Sequence, residues 1–427
     1  MSFNQYTWDL YKQTTIGIEM IKYFSDAGGY VLFKDYCPYA NFIPEDLYND
    51  WLENIYCYGV SDYDHPSSLE EAKDLYISLI TLGIRVEGQQ WLPANDFKNM
   101  LGIIQPMSYV LSQFAPEYFF PYLFLCRIFE LNKIADFFNI DLPNIPKRTD
   151  YKGRCMYYWE LCEVFYLFRK ENGLSPADLW SFLYDFAPNN LPSEKIDMPK
   201  PSQVWFIGGR LYQEDKSLES KFWQSSPETK KGDILVHYET SPISAITCIE
   251  ISLTDGVIDP LFRYYGCIYI GNRINIPHIT LKELQTDEYF FKHPLVRKNF
   301  QGVNGWSVNS ENYSELLRMI KTKGFDIEVL PKLYAPTLPK DVIIEYEHDV
   351  EQQLLEPLLN SMGWYENKDF IRQLPIQAGR GHRIFPDYAL HYGNKPNEER
   401  AKVLIEAKLC MRNNKEREEA YLQARSY

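Results

Sequence analysis

Two β-type runs near the C-terminus, Phe385 to Leu390 and Val403 to Lys408, limit what this chain can fold into more than any other feature. Both are rich in aromatic or β-branched residues. They are bounded by Gly379, Gly381, Gly393, Asn394, Pro396 and Asn397, so they read as a hairpin with an irregular loop. Side chains alternate across a strand, which puts Glu406 and Lys408 on one face and Ile405 and Ala407 on the other. Asp387, on the partner run, is expected to meet them. Two converging carboxylates make an oxygen-rich site suited to Mg²⁺ or Mn²⁺. A lysine beside them can orient or deprotonate a water, or offset charge developing on a phosphate, as metal-assisted phosphodiester hydrolysis requires.

Upstream, the segment from Glu347 to Leu359 reads as an amphipathic helix, with Val350, Leu354, Leu355, Leu358 and Met362 on its inner face at steps of three and four. Glu347 and Glu351 border that stripe, and either is placed to reach the metal site. A strand from Phe370 to Gln377 follows Gly363-Trp364, and Lys415 to Ser426 has helix-forming composition.

This order of elements resembles the PD-(D/E)XK nuclease superfamily: a helix with a Glu, a strand, Pro386-Asp387, then Glu406-Ala407-Lys408, then a helix. In detail it is similar to the N-terminal nuclease domain of type I restriction enzyme R subunits. The matching pieces are Glu356-Pro357-Leu358-Leu359 with Gly363-Trp364, Pro386 to Leu390, Glu406 to Lys408, and Gln423 with Tyr427. The resemblance implies that Asp387 and Glu406 bind metal, that Lys408 acts on the attacking water, and that Gln423 and Tyr427 help position nucleic acid. The chain departs from the family in two ways. About 340 residues precede the nuclease here, whereas the family's chains usually open on it. The family also continues with more strand and helix after the Gln-Tyr motif, so the nuclease domain is expected to be incomplete at its C-terminus.

At 427 residues the chain is too long for one ordinary core, and two or three domains are expected. A hydrophobic content of 45% is ample for packed domains and excludes a disordered chain. No apolar run reaches membrane-spanning length; Tyr118 to Phe129 is interrupted by Pro121 and Arg127. The start, Met1 to Gln5, does not lead from a basic segment into an apolar one, so no signal peptide and a cytoplasmic location are expected. Eight scattered cysteines without a CxxC pair read as reduced core residues, and seven dispersed histidines form no evident cluster. The net charge of −14 argues against nucleic-acid binding until it is mapped. Residues 1–199 hold 27 acidic against 15 basic residues and account for most of it. A phosphate-facing surface therefore remains open further along the chain.

Residues 1–195 read as an all-helical domain. Met156 to Arg169 repeats large apolar residues at helical spacing, and Ser175-Pro176-Ala177-Asp178 is a helix start with Ser as cap and Pro at the first position. Leu179, Trp180, Leu183 and Phe186 then form an inner face, and the many aromatics are assigned to the core. A Pro/Asn-rich joint, Ala187 to Pro201, ends this region. Short β-type runs follow, Val204 to Gly208, Asp233 to Tyr238, Ile246 to Leu253 and Cys267 to Ile270, then a helix from Ser310 to Lys321, which suggests a small barrel.

This segment, 202–328, resembles an EVE domain of the PUA-like barrels. The matching pieces are Trp205 in the first strand, Trp223 before Lys231-Gly232-Asp233, Tyr238 after it, and Phe300-Gln301-Gly302. The resemblance implies an aromatic pocket for a flipped, modified base, with Trp205, Trp223 and Tyr238 as its lining; flipping costs a few kcal/mol, which stacking must offset. Lys332 to Lys340 is a Pro-punctuated connector. No GxxxxGK[ST] loop occurs, so the chain has no motor of its own.

The expected architecture is multidomain α+β: a helical domain over 1–195, an EVE/PUA-like β-barrel over 202–328 and an α/β PD-(D/E)XK nuclease domain over 341–427. The expected activity is Mg²⁺- or Mn²⁺-dependent endonuclease action of the restriction or anti-phage type. The substrate is double-stranded DNA with modified bases, no membrane is involved, and a homodimer or partner subunit is the assembly to look for. The rival reading is a non-catalytic nucleic-acid-binding or scaffolding protein with a degenerate nuclease fold.

Overall fold

A computed structural model describes residues 3–26, 29–36, 44–86, 89–192, 198–210, 220–334, 342–379, 382–393, 400–410 and 414–426. The chain is mixed α and β, and it divides into two compact units. The first comprises residues 1–196, 214–229 and 254–270; the second comprises 197–213, 230–253 and 271–427. Two stretches of the 202–328 segment thus belong with the helices.

The first unit is built around Tyr151–Glu171, a helix of 21 residues. Asp150 caps it by accepting from the Gly153 amide at 2.9 Å. Of the large residues whose spacing predicts an inner face, Trp159, Cys162 and Phe165 are buried and Met156, Val164 and Phe168 half-buried, and Tyr157, Tyr158 and Leu161 are buried as well. Tyr76, from Leu69–Leu82, donates to the Cys155 carbonyl at 2.7 Å, and Tyr158 donates to that of Phe120 at 2.7 Å. The predicted start at Ser175 is present as a reciprocal box. The Ser175 hydroxyl accepts from the Asp178 amide and the Asp178 carboxylate accepts from the Ser175 amide. Leu179, Trp180, Leu183 and Phe186 are all buried, so the aromatics of this region do form core. The expectation of an all-helical region needs one correction: Ile84–Val86 pairs antiparallel with Gln89–Leu92. Ile-Arg-Val and Gln-Gln-Trp-Leu are short, β-prone runs following Gly83, whose φ of 78° ends the preceding helix.

Residues 254–270 are tied to these helices by Arg154. It is 1% exposed and donates to the carbonyls of Pro260, Phe262 and Arg148 at 2.8, 2.7 and 3.0 Å. Here Val257–Ile258 pairs antiparallel with the start of Gly266–Thr280, and Phe222, Leu261 and Cys267 join the helical core.

Asp259, in the same stretch, is fully buried. One of its oxygens accepts from the Leu261 and Phe262 amides, and the Cys126 backbone also favours its charged form. Burial pushes its carboxyl up to about 7 despite these bonds and the Arg154 charge. The carboxyl therefore holds its proton more tightly in the folded state than in the unfolded one, where it titrates near 4. Its contribution to stability is full below about pH 4 and is lost as pH rises through 7, by up to roughly 4 kcal/mol. Replacing it with Asn should flatten this part of the profile. Parallel melting curves for the two proteins between pH 5 and 8 would refute the assignment.

In the second unit, Val204–Gly209 runs parallel to Ile234–Glu239 with Val204 opposite Ile234. Ala245–Ser252 is antiparallel to Ile234–Glu239, and Trp306–Val308 pairs antiparallel with the other edge of Val204–Gly209. Gly232, just ahead of the Ile234 strand, has φ 93°. Gly266–Thr280, which belongs to this unit from residue 271 on, is the next neighbour of Ala245–Ser252. Ser310–Thr322, capped by Asn309, buries Tyr313, Leu316, Met319 and Ile320 in the core that also holds Val204, Phe206, Val236 and Tyr238.

The C-terminal part of this unit contains a three-stranded antiparallel sheet with Tyr388–Leu390 between Phe370–Arg372 and Val403–Ile405. Its small core is Leu359, Phe370, Tyr388 and Leu390. The expected hairpin between the two C-terminal runs is present, with Tyr388 opposite Ile405. The expected strand from Phe370 to Gln377 is instead two strands, Phe370–Arg372 and Ile376–Gly379, broken where Gln373 takes φ 51° ahead of Pro375. The helix from Glu347 to Ser361 contains one wide turn, Glu351–Leu355, directly before Pro357. Pro357 has no amide hydrogen to give to the preceding turn, which accounts for the wider spacing.

Candidate active site

The antiparallel register that sets Tyr388 opposite Ile405 brings Asp387 and Glu406 to the same end of their strands. The backbone itself locks them together, because one Asp387 oxygen accepts from the Ala407 amide at 2.7 Å. Its other oxygen accepts from the Gln373 side-chain amide at 3.2 Å. Lys408, two residues beyond Glu406 and on the same face, places its ammonium 3.0 Å from the Glu406 carboxylate and 3.8 Å from that of Glu347. The Gln423 side chain, from the helix Asn414–Ser426, donates to the same Glu406 oxygen. Asp387, Glu406, Lys408, Glu347 and Gln423 therefore converge. Tyr427 lies outside the described residues.

Glu351 goes elsewhere. It pairs with Arg372 at 3.1 Å, and Arg372 also holds Glu356 at 2.9 Å. The Tyr388 hydroxyl donates to Glu356 at 3.3 Å. Of the two helix carboxylates expected near the site, only Glu347 contacts it, and Glu351 anchors the helix to the sheet.

The electrostatics fix the charge state of Lys408. Partial burial works against its charge, but the hydrogen bond to Glu406 and the charges of Glu406, Glu347 and Asp387 prevail and raise its pKa. At neutral pH it is an ammonium donor and not a base. Each Asp387 oxygen accepts one hydrogen bond and has a second lone pair to give. Asp387 and Glu406 offer the hard carboxylate oxygens that Mg²⁺ or Mn²⁺ takes, so the chemistry of these two donors fits the expected ion, and Glu347 is linked to Glu406 through the Lys408 ammonium.

Two contacts here have no sequence signature. Gln373 reaches Asp387 because its left-handed backbone turns the chain at that point. At the other end of the Phe370 strand, the Lys230 ammonium is paired with Asp369, which is 6% exposed and also accepts from the Tyr365 amide. Lys230→Ala leaves that buried carboxylate without its cation. The expected cost is about 3 kcal/mol, seen as faster amide exchange in residues 369–373 and 388–391. Unchanged exchange there would show that the pair is incidental.

Two of the three aromatic residues expected to line a base pocket, Trp205 and Tyr238, do not converge. Trp205 pairs in register with Leu235, whereas Tyr238 pairs with Gly208, so the two side chains leave opposite faces of the sheet. The Trp205 indole donates to Asp233 at 2.8 Å. Asp233 also accepts from Ser202, Gln203 and Lys230, yet burial still pushes its carboxyl up to about 6. Tyr238 is buried against Phe300 with ring centroids 4.0 Å apart and planes 2° from parallel. Trp223 is half-buried and belongs to the first unit. Parity along two parallel strands separates Trp205 from Tyr238, and that parity is invisible until the register is known.

No family model matches the chain, nor does any curated protein. Solved structures similar to part of it include the NMR structure of Rpa0253 from Rhodopseudomonas palustris. It is 14% identical and covers 28% of this chain and 94% of that one, with a TM-score of 0.25. A hypothetical protein from Leishmania major is 12% identical over 29% of this chain and 98% of its own, with a TM-score of 0.24. Among the described residues no helix is long and apolar enough to cross a membrane.

Proposed function

We propose that the chain is a metal-dependent DNA endonuclease of the restriction or anti-phage defence type, in which a PD-(D/E)XK site over residues 341–427 cuts DNA recognised by the EVE-like segment. The convergence of Asp387, Glu406 and Lys408 at one end of adjacent strands, with Glu347 and Gln423 on the same group, supports the hydrolytic half. Asp387 and Glu406 hold Mg²⁺ or Mn²⁺, and the ion, when bound, supplies Lewis-acid polarisation of the scissile phosphate and the attacking water. Lys408, kept protonated by its carboxylate neighbours, donates to the water or to a phosphate oxygen as negative charge develops there. Gln423 holds Glu406 in place.

The reader half is supported by the sequence resemblance, and not by Trp205 and Tyr238 sharing a pocket. Its test is equilibrium binding of the Asp387→Asn variant to duplexes that differ only in cytosine modification, across a range of salt. Tighter binding to a modified duplex at every salt concentration is expected. Equal affinity would leave a nuclease without a base reader, since phosphate contacts alone give affinity that depends on salt and not on the base.

A further inference from the structure

In the second unit, the sheet face opposite Phe206 and Tyr238 carries polar groups where a buried strand would ordinarily place only apolar ones. His237 stands directly across the antiparallel pair from Cys248, and Glu250 is two residues further on the same face. The three are 0%, 0% and 2% exposed. His237 Nδ1 lies 3.0 Å from Glu250 Oε2, and ligand atoms of His237, Cys248 and Glu250 all lie within 4.8 Å of one another. Both Arg273 Nε and Arg273 Nη2 reach the other Glu250 oxygen, Oε1, at 2.8 Å.

We propose that His237, Cys248 and Glu250 hold a transition-metal ion of the zinc class, at a site separate from the Asp387 carboxylates. An imidazole, a thiolate and one carboxylate form a borderline-soft donor set that favours zinc over magnesium. Tetrahedral bonds of about 2.0–2.3 Å put neighbouring donors roughly 3.3–3.8 Å apart, which small side-chain rotations reach from the separations present. Two donors face each other across paired strands and the third follows at the strand period, so the backbone has already placed all three. Arg273 orients the carboxylate from outside, as a second-layer partner does, and with the thiolate, the carboxylate and a divalent ion the cluster carries one net positive charge. The Cys248 thiol gives its proton to solvent when the ion binds. A water or other small ligand completes the coordination.

The test uses the full chain freed of metal by a chelator and titrated with Co²⁺, whose thiolate complexes absorb in the near ultraviolet. A single ion per chain is expected, giving a thiolate-to-cobalt band that Zn²⁺ abolishes. Zn²⁺ should also raise the thermal midpoint by about 5 °C. The band should persist in Asp387→Asn and in Cys57→Ser/Cys410→Ser, the second of which removes the exposed thiols among the described residues, and should vanish in Cys248→Ser. Absence of the band in the wild-type chain under excess Co²⁺ overturns the proposal and leaves His237–Glu250–Arg273 as a buried ion network. Loss of the band in the Cys57/Cys410 variant also overturns it, as surface thiol binding.

Discussion

Asp387→Ala is expected to reduce Mg²⁺-dependent cleavage of DNA at least about 1,000-fold, equivalent to roughly 4 kcal/mol of transition-state stabilisation. The substitution removes one of the two carboxylates brought to the same end of paired strands, and a single remaining carboxylate does not fix a hard cation. It also removes two hydrogen bonds, from the Ala407 amide and from Gln373, with a local cost of about 1–2 kcal/mol. Asp387→Asn is therefore the companion variant. It keeps the shape of the side chain and loses the charge. Both should show the wild-type circular dichroism spectrum and near-background cutting. Wild-type-like turnover by either purified variant would remove Asp387 from the reaction.

Arg154→Ala is expected to have the largest effect on stability, about 4 kcal/mol in the first unit. Its guanidinium is buried, and it satisfies three carbonyls while lying 5.4 Å from the Tyr151 ring centroid and 5.3 Å from that of Tyr265. Truncation removes the Arg154 donor from the Pro260 and Arg148 carbonyls, while the Phe262 carbonyl keeps the Tyr265 amide, and it opens a cavity the size of the lost side chain. Because residues 254–270 depend on this anchor, their protease sensitivity should rise ahead of global unfolding. Arg154→Lys should rescue little, since one ammonium on a single axis does not reach three separate carbonyls. A denaturant midpoint within error of wild type for Arg154→Ala would show that the 254–270 segment is held by apolar packing alone.

The sequence is most legible where a side chain's neighbours are close in the chain. Tyr151–Glu171 is readable from aromatic spacing, the Ser175 box from four consecutive residues, and the pairing of the two C-terminal runs from their composition, although the second strand ends at Ile405, ahead of Glu406 and Lys408. Elsewhere, local and non-local effects compete. Gln373 breaks an otherwise strand-like run because its side chain reaches Asp387 from a left-handed backbone. Glu351 and Glu347 sit one helical turn apart with equal claim on the site, and Arg372, 21 residues beyond Glu351, decides between them. The His237, Cys248 and Glu250 group shows the limit most clearly. These residues are separated by 11 and 2 positions with no motif among them, and only the register of two strands, shifted beyond His237, brings them together. The assignment of Trp205 and Tyr238 to one pocket, which rests on the resemblance, fails for the same reason, since the face each side chain takes depends on strand register.

A time course of supercoiled plasmid, modified and unmodified, incubated with the purified chain in Mg²⁺ and in EDTA bears most directly on the hydrolytic reading. Nicked or linear DNA should form only with the divalent ion, and Lys408→Met should slow it by about 100-fold or more. No conversion of any plasmid in Mg²⁺ or Mn²⁺, or conversion at the wild-type rate by the Lys408 variant, would contradict it.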